Sequence, residues 1–320
     1  MRSPKAVFLD KNSVFPGDLS FSMLEQVADW QWFSQASPDE VSQAIRSAEI
    51  LVTNKVVIGS EVLAMAENLK LICVAATGVN NIDMAAAASR GVAVCNVNAY
   101  ATASVTQHVF SMLLALNRHL VQYALAATDG SWSSSEYFCY FGKPVSELEG
   151  RTLGIIGYGE LGRSVANVAT CFGMHVLVAK RDDSDTRENR VDLATLLSAS
   201  DVVSLHCPLT DKNFHLISEK ELALMKADAI LINTARGGLV DEAALLSALK
   251  DKTIGGAALD VLEQEPPAKD NPVLEYPADN LIITPHIAWV SRESRQRLLD
   301  EIASNIQAFS DGVPRNLVAV

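Results

Sequence analysis

At 320 residues the chain has room for two compact domains. Its 49% hydrophobic and 20% charged content is that of a globular protein and not of a disordered one. A formal charge of −12 sets nucleic-acid and membrane-surface binding aside, and an anionic substrate must then meet a locally basic site.

From the N-terminus, MRSPKAVFLD is too short and too polar to hold a secretory apolar core. Short apolar runs then alternate with helical patterns. Strands are expected at Ala6–Leu9, Ile50–Thr53, Leu71–Ala75 and Val92–Val94, with helices over Asp39–Ser47 and Glu61–Glu67. The most apolar stretch, Ala101–Ala127, is interrupted by Gln107, His108, Asn117, Arg118, His119 and Gln122. It reads as one long buried helix, not a membrane span. Trp132–Leu148, with Trp132, Tyr137, Phe138, Tyr140 and Phe141, is neither helical nor alternating. Such an arm suits a subunit contact or a loop capping its own core.

A denser series follows, with strands at Thr152–Gly157, His175–Ala179, Val202–His206, Ala229–Asn233, Gly256–Asp260 and Leu281–Thr284. Ser218 and Glu221 form a capping box, and Asp241 opens EAALLSALK. Strands apolar on both faces and spaced by helices mean a parallel sheet covered on both sides. This six-stranded unit runs from about residue 100 to 287, and the helix after Ser291 returns to the first unit. Cys73, Cys95, Cys139, Cys171 and Cys207 are far apart with no CxxC pair, which fits reduced thiols in a cytoplasmic protein. The histidines lack HxxxH and HExxH spacing, so no metal site is expected.

The strand at Thr152–Ile156 runs straight into Gly157-Tyr158-Gly159-Glu160-Leu161-Gly162. The helix after it is expected to place Leu161, Val165, Val168 and Phe172 on one face. Glycines at this spacing give a tight turn, close approach to a diphosphate and close helix–sheet packing. Free amides and the positive helix end then hold the anion. Where an acidic residue would accept a ribose 2′-hydroxyl, the sequence has Lys180-Arg181. Two cations there favour NADP(H) over NAD(H). The alternative is a solvated charged loop, with Asp182 or Asp183 reaching the ribose.

Hydride transfer to a keto acid needs a cation for the carboxylate and an acid–base group with a partner that tunes it. The strand ends that should face the nucleotide read Asn233-Thr234-Ala235-Arg236, then Asp260 through Glu265-Pro266, then Thr284-Pro285-His286. Arginine offers a carboxylate two parallel hydrogen bonds, and histidine titrates near neutrality. Taken singly, His286 reads as a satisfied core histidine and Glu265 as an exposed loop acid; the ordered combination overturns both. His108, His119, His175, His206 and His215 read as structural.

The runs GRTLGIIGYGELGR, VVSLHCPLT, LINTARGGLVDEAAL, GGAALDVLEQEPP and LIITPHIAW resemble the D-isomer-specific 2-hydroxyacid dehydrogenase family over essentially the whole chain. The resemblance implies two doubly wound α/β domains with parallel sheets, usually in a dimer. A flavodoxin-like substrate domain would span 1–99 with 288–320, and a Rossmann-type NAD(P) domain 100–287. It implies that Arg236 binds the substrate carboxylate and polarises the keto oxygen, that His286 is the acid–base group, and that Glu265 is its partner. Asp260 would orient the nicotinamide, Cys207, Pro208, Thr234 and Ala235 would line the cofactor, and the amides of Ala76, Thr77, Gly78 and Val79 would meet the carboxylate. ATGVNNID, SVTQHVFSMLLAL and PHIAW are most similar to glycerate dehydrogenases, also called hydroxypyruvate reductases. The expected reaction takes hydroxypyruvate or glyoxylate to D-glycerate or glycolate. A non-catalytic, nucleotide-sensing corepressor of the same fold is the alternative from another class, and the absence of peptide-motif extensions counts against it. A Rossmann methyltransferase would predict no Arg, Glu and His at successive strand ends.

Overall fold

The computed structural model describes residues 3–182, 184–187, 190–277 and 279–318. The chain divides into two units, residues 1–101 with 289–320 and residues 102–288.

In the first unit the strands are β1 Lys5–Phe8, β2 Asp29–Trp32, β3 Ile50–Thr53, β4 Leu71–Val74 and β5 Ala93–Cys95. They form one sheet in the order β2-β1-β3-β4-β5, with every pairing parallel. This is the flavodoxin-like order of a doubly wound sheet. Strands β3 and β4 are buried along their whole length, as a sheet covered on both faces requires. Around it run α1 Ser22–Val27, α2 Pro38–Ser47, α3 Ser60–Ala64 and α4 Met84–Ser89. Helix α2 buries Val41, Ala44 and Ile45, and its start is fixed by a capping box. The Ser37 amide donates to Glu40 Oε2 at 2.7 Å, and the Glu40 amide to Ser37 Oγ at 3.4 Å. Strand β2 was not anticipated. Its DWQW sequence alternates polar and aromatic residues on a half-buried sheet edge, where Trp30 and Trp32 stack at 4.6 Å.

The second unit holds α5 Thr102–Asn117, α6 Leu120–Ala126, β6 Thr152–Ile156, α7 Glu160–Cys171, β7 His175–Ala179, β8 Arg190–Val191, α8 Leu193–Ala199, β9 Val202–Leu205, α9 Glu219–Leu222, β10 Ile230–Asn233, α10 Glu242–Lys250, β11 Gly256–Leu259 and β12 Leu281–Ile283. Its strands run β12-β11-β10-β9-β6-β7-β8, all parallel. Counted within the unit this is the Rossmann order 3-2-1-4-5-6 with a further strand at the far edge. The sheet has seven strands where six were expected. The extra one, β8, is only two residues long and too short for periodicity to reveal.

Two local expectations are corrected, and the capping box at Ser218 and the Asp241 cap are found as expected. The helix expected over Ala101–Ala127 is two helices, because His119 adopts a left-handed φ of 47°. Asn117 Nδ2 donates to the Ser146 carbonyl at 2.6 Å, which ties the break to the irregular arm. On α7 the buried face is Gly162, Val165, Ala166 and Ala169, while Phe172 is 40% exposed and stacks on Phe110. At α9 the Glu221 carboxylate accepts from the Ser218 amide at 3.3 Å, and Ser218 Oγ donates to the same carboxylate. Asp241 caps α10 by accepting from the Ala244 amide at 3.0 Å.

The last helix, α11 Arg292–Ser310, packs against α1 and β4 of the first unit. Its Arg295 is 8% exposed and grips Asp18 with two guanidinium nitrogens at 2.7 and 2.6 Å. That fork holds the Asp18 carboxyl below its ordinary range. A depressed folded value gives stability above the ordinary carboxylate pKa and loses it as pH falls through the folded one. Asp18→Asn should therefore lower the thermal midpoint at neutral pH, with the gap to wild type closing below about pH 4. A gap that stays constant down to acid pH would show that the ionised carboxylate adds none of that stability.

Candidate active site

Three adjacent strands of the second unit, β10, β11 and β12, end in the three residues expected to do chemistry. Arg236 lies just beyond β10. Asn233 fixes that turn, its Nδ2 donating to the Arg236 carbonyl at 2.8 Å and its Oδ1 accepting from the Ala235 amide at 3.0 Å. Gly237 presses on the next loop, where a Cβ would lie 1.9 Å from the Leu262 carbonyl carbon. Only glycine allows the Arg236 turn and the loop carrying Glu265 to approach so closely. Arg236 is half-buried and donates through Nη1 to the Ala235 carbonyl at 2.7 Å. It has no carboxylate partner among the described residues.

His286 and Glu265 form a dyad, with Nδ1 at 2.7 Å from Oε2. The Leu262 amide donates to Glu265 Oε1 at 3.0 Å, so both carboxylate oxygens are engaged. His286 has φ 55°, an uncommon backbone for a non-glycine residue. Its amide donates to the Asp260 carbonyl at 2.8 Å.

Asp260 has a task the sequence reading did not foresee. It is 1% exposed, and Oδ1 accepts from Thr284 Oγ1 at 2.6 Å and the Ile287 amide at 2.8 Å. Oδ2 accepts from the Ala288 amide at 2.9 Å. Burial pushes its carboxyl up, but hydrogen bonds from His108, Thr284 and the two amides outweigh this and hold it below the ordinary range. The buried carboxylate is the anchor of the segment that carries His286.

At the glycine loop the three glycines divide the work. Gly157 has φ 97°, and a Cβ there would meet the Cys207 amide and the His206 carbonyl carbon at 2.5 Å. At Gly162 it would meet the Gly157 carbonyl oxygen at 2.2 Å. At Gly159 it would meet nothing within 4 Å. The protein itself thus demands the first and third glycines, and the second leaves the backbone open to a ligand. Thr234 Oγ1 is buried with no hydrogen-bond partner, as is His206 Nδ1. Cradle and orphaned polar atoms together fit a dinucleotide. Cys207 is half-buried, with its thiol pushed up by burial, and Pro208 and Ala235 flank it and Thr234 in sequence. His206 donates or accepts through Nε2 with Ser204 Oγ at 2.8 Å, and burial pushes its pKa down to about 4, so it is neutral at pH 7.

Not every expected contact is placed alike. Glu160 accepts from Thr102 Oγ1 at 2.5 Å, so its side chain is engaged within the unit. Leu161 is half-buried at the start of α7. Arg181 is 82% exposed and pairs with Asp182 at 3.1 Å, as the charged-loop alternative describes. Lys180 is exposed at the end of β7, while Asp183 lies outside the described residues. Arg190, not singled out from the sequence, lies over the Tyr158 ring at 4.7 Å. A cation arriving by way of a two-residue strand leaves no motif to find.

In the first unit, Ala76, Thr77, Gly78 and Val79 follow the carboxyl end of β4. Asn96 Nδ2 donates to the Thr77 carbonyl at 2.7 Å, and Thr77 Oγ1 donates to the Val97 carbonyl at 2.9 Å. The amides of Thr77, Gly78 and Val79 donate no hydrogen bond among the described residues.

The sequence model described as D-isomer specific 2-hydroxyacid dehydrogenase, NAD binding domain, matches residues 110–288. The chain is 45% identical over 314 residues to the glycerate dehydrogenase of Methylorubrum extorquens, covering 98% of each. It is similar to the NADPH-dependent glyoxylate/hydroxypyruvate reductase of Sinorhizobium meliloti, solved with NADP and malonate. That likeness has TM-score 0.83 and 26% identity, over 99% of this chain and 97% of that one. The D-lactate dehydrogenase of Aquifex aeolicus, complexed with NAD and lactic acid, is similar at TM-score 0.81 and 31% identity, over 96% of each chain. Fold, glycine cradle and full-length likeness agree: the chain belongs to the D-isomer-specific 2-hydroxyacid dehydrogenase family.

Proposed function

We propose that this chain reduces hydroxypyruvate and glyoxylate to D-glycerate and glycolate, using NADPH in preference to NADH. The carrying observation is the His286–Glu265 dyad beside an arginine that lacks a carboxylate partner among the described residues, on adjacent strand ends. Arg236 binds the substrate carboxylate through its planar fork and polarises the keto oxygen. The bound reduced nicotinamide supplies the hydride. His286 delivers the proton to the oxygen from Nε2, because Nδ1 is held by Glu265 and the carboxylate stabilises the imidazolium. A sensor of the same fold would need no such dyad. The first test is an absorbance assay of hydroxypyruvate, glyoxylate, pyruvate and bulkier keto acids with both reduced cofactors. Preference for phenylpyruvate, or an L product, would overturn the substrate assignment and leave the dehydrogenase class standing.

The NADP(H) preference is supported by Lys180 at the end of β7 and by Arg190 over Tyr158 of the glycine loop. A homodimer is supported by the arm, whose Phe138 is 93% and Phe141 81% exposed. A cytoplasmic setting is supported by five free thiols. Among the described residues no helix is long and apolar enough to cross a membrane.

His286→Ala should lower turnover by at least ~10²-fold while cofactor affinity stays near wild type. Near-normal turnover would remove His286 from the mechanism. Arg236→Lys keeps a charge but loses the fork, so turnover over keto-acid concentration should fall sharply. Normal kinetics in that variant would place the carboxylate elsewhere.

For the cofactor, one charge-assisted hydrogen bond to a 2′-phosphate is worth ~1.5–3 kcal/mol, or roughly tenfold and more. Lys180→Asp should reverse the ratio of catalytic efficiencies between NADPH and NADH; an unchanged ratio would mean that Lys180 points into solvent. For assembly, light scattering should find a dimer in wild type and a monomer in Phe138→Asp/Phe141→Asp. A dimer in both would exclude the arm as the contact.

A further inference from the structure

His108 was read as a structural histidine, and its surroundings in the second unit give it more to do. It stands one turn after Ser104 on α5, so both side chains lie on one face of that helix. Ser104 Oγ donates to the Ala288 carbonyl at 2.6 Å. His108 Nε2 lies 2.9 Å from Thr284 Oγ1 and 3.5 Å from Asp260 Oδ1. One helix face thus grips both ends of the segment Thr284–Ala288, with His286 at its middle.

Proton counting fixes the direction of these bonds. A threonine hydroxyl has one hydrogen and two lone pairs. Thr284 gives that hydrogen to the Asp260 carboxylate at 2.6 Å, a far better acceptor than Met112 Sδ at 3.9 Å. Its oxygen can then only accept from His108, so His108 Nε2 carries a hydrogen. The chain of donation runs His108 to Thr284 to Asp260, and Asp260 in turn accepts from the Ile287 and Ala288 amides.

We infer that His108 is a positioning residue, donating through Nε2 into the Thr284–Asp260 pair that fixes the backbone of His286. The side chain of His108 is 17% exposed and that of Asp260 1%, so water competes little for these bonds. A backbone φ of 55° at His286 does not persist unless its surroundings impose it, and this pair supplies the imposition. Without the donor, Thr284 can rotate its hydrogen away from Asp260, and the segment loosens.

The inference rests on the dehydrogenase reading, and its test separates the two. Wild type, His108→Gln, His108→Leu, Thr284→Val and the His108→Leu/Thr284→Val double variant would be compared. One readout is hydroxypyruvate reduction with NADPH, and the other is hydrogen exchange of the Ile287 and Ala288 amides. His108→Leu should lower kcat by roughly tenfold to a hundredfold, the scale of a small misplacement of a reacting group. KM and NADPH affinity should stay near wild type, and exchange at the two amides should quicken. His108→Gln keeps an N–H donor and should retain most of kcat and of the slow exchange. The double variant should cost no more than the worse single one, because both remove the same path. Equal losses in the Gln and Leu variants, additive losses in the double variant, or unchanged exchange at Ile287 and Ala288 would each overturn the inference. If wild type reduces no 2-keto acid, the dehydrogenase reading falls, and the exchange of those two amides still decides the role of His108.

Discussion

Burying a carboxylate is costly unless hydrogen bonds replace its water, and Asp260 has that replacement in full. Its two oxygens collect a hydroxyl and two backbone amides, with His108 Nε2 at 3.5 Å. Removing the charge would leave two buried amides and a hydroxyl unmatched, the expensive direction of the asymmetry in hydrogen bonding. The position of His286 follows from this anchor, since its own amide is tied to the Asp260 carbonyl at 2.8 Å. The Glu265 contact then fixes the ring that the anchored backbone presents. A histidine on a loop is thereby fixed at both its backbone and its ring.

The same economy operates at the glycine loop, with glycine in place of charge. Gly157 and Gly162 are required because strand β6, helix α7 and the β9 strand end come within van der Waals contact of one another. That closeness leaves the start of α7 and its unpaired amides facing the opening at Gly159. The positive end of the helix and the open backbone are consequences of one packing decision. Thr234 Oγ1 and His206 Nδ1, buried and unpartnered, border this region from the ends of β10 and β9. Such atoms are rare in a finished interior and find their explanation in a ligand.

Much of this was legible in the sequence because it is local. Wholly apolar runs such as ILVT and LICV announce strands buried on both faces. The glycine spacing and the Asp241 cap are likewise written within a few residues, and Arg236, Glu265 and His286 each sit in a short run that follows a strand. What stayed hidden depends on partners distant in sequence. His108 and Thr284 are 176 positions apart, and nothing near either residue signals the other. Edge strands were also missed, since β2 is polar at every second position and β8 has two residues. The break at His119 escaped because a left-handed residue among helix formers leaves no compositional mark.

The net charge of −12 poses a problem for any anionic substrate, and the ion pairs show how it is met. Arg151 lies against Asp201 and Asp228, Arg187 against Asp185, Arg295 against Asp18, and Arg315 against Glu301. Lys70, Lys143 and Lys226 are paired with acids as well. Such pairs neutralise the surface locally and contribute little to binding at a distance. Arg236 is placed differently, half-buried at a strand end with no carboxylate partner among the described residues. A guanidinium there keeps most of its five donors free of protein carboxylates, in surroundings less screened than the surface. The acidic exterior slows the approach of anions, and the half-buried setting of Arg236 sets it apart from the exposed cations of the surface. What an anion meets at that strand end is set by where this one charge sits, and the net charge of the molecule does not decide it.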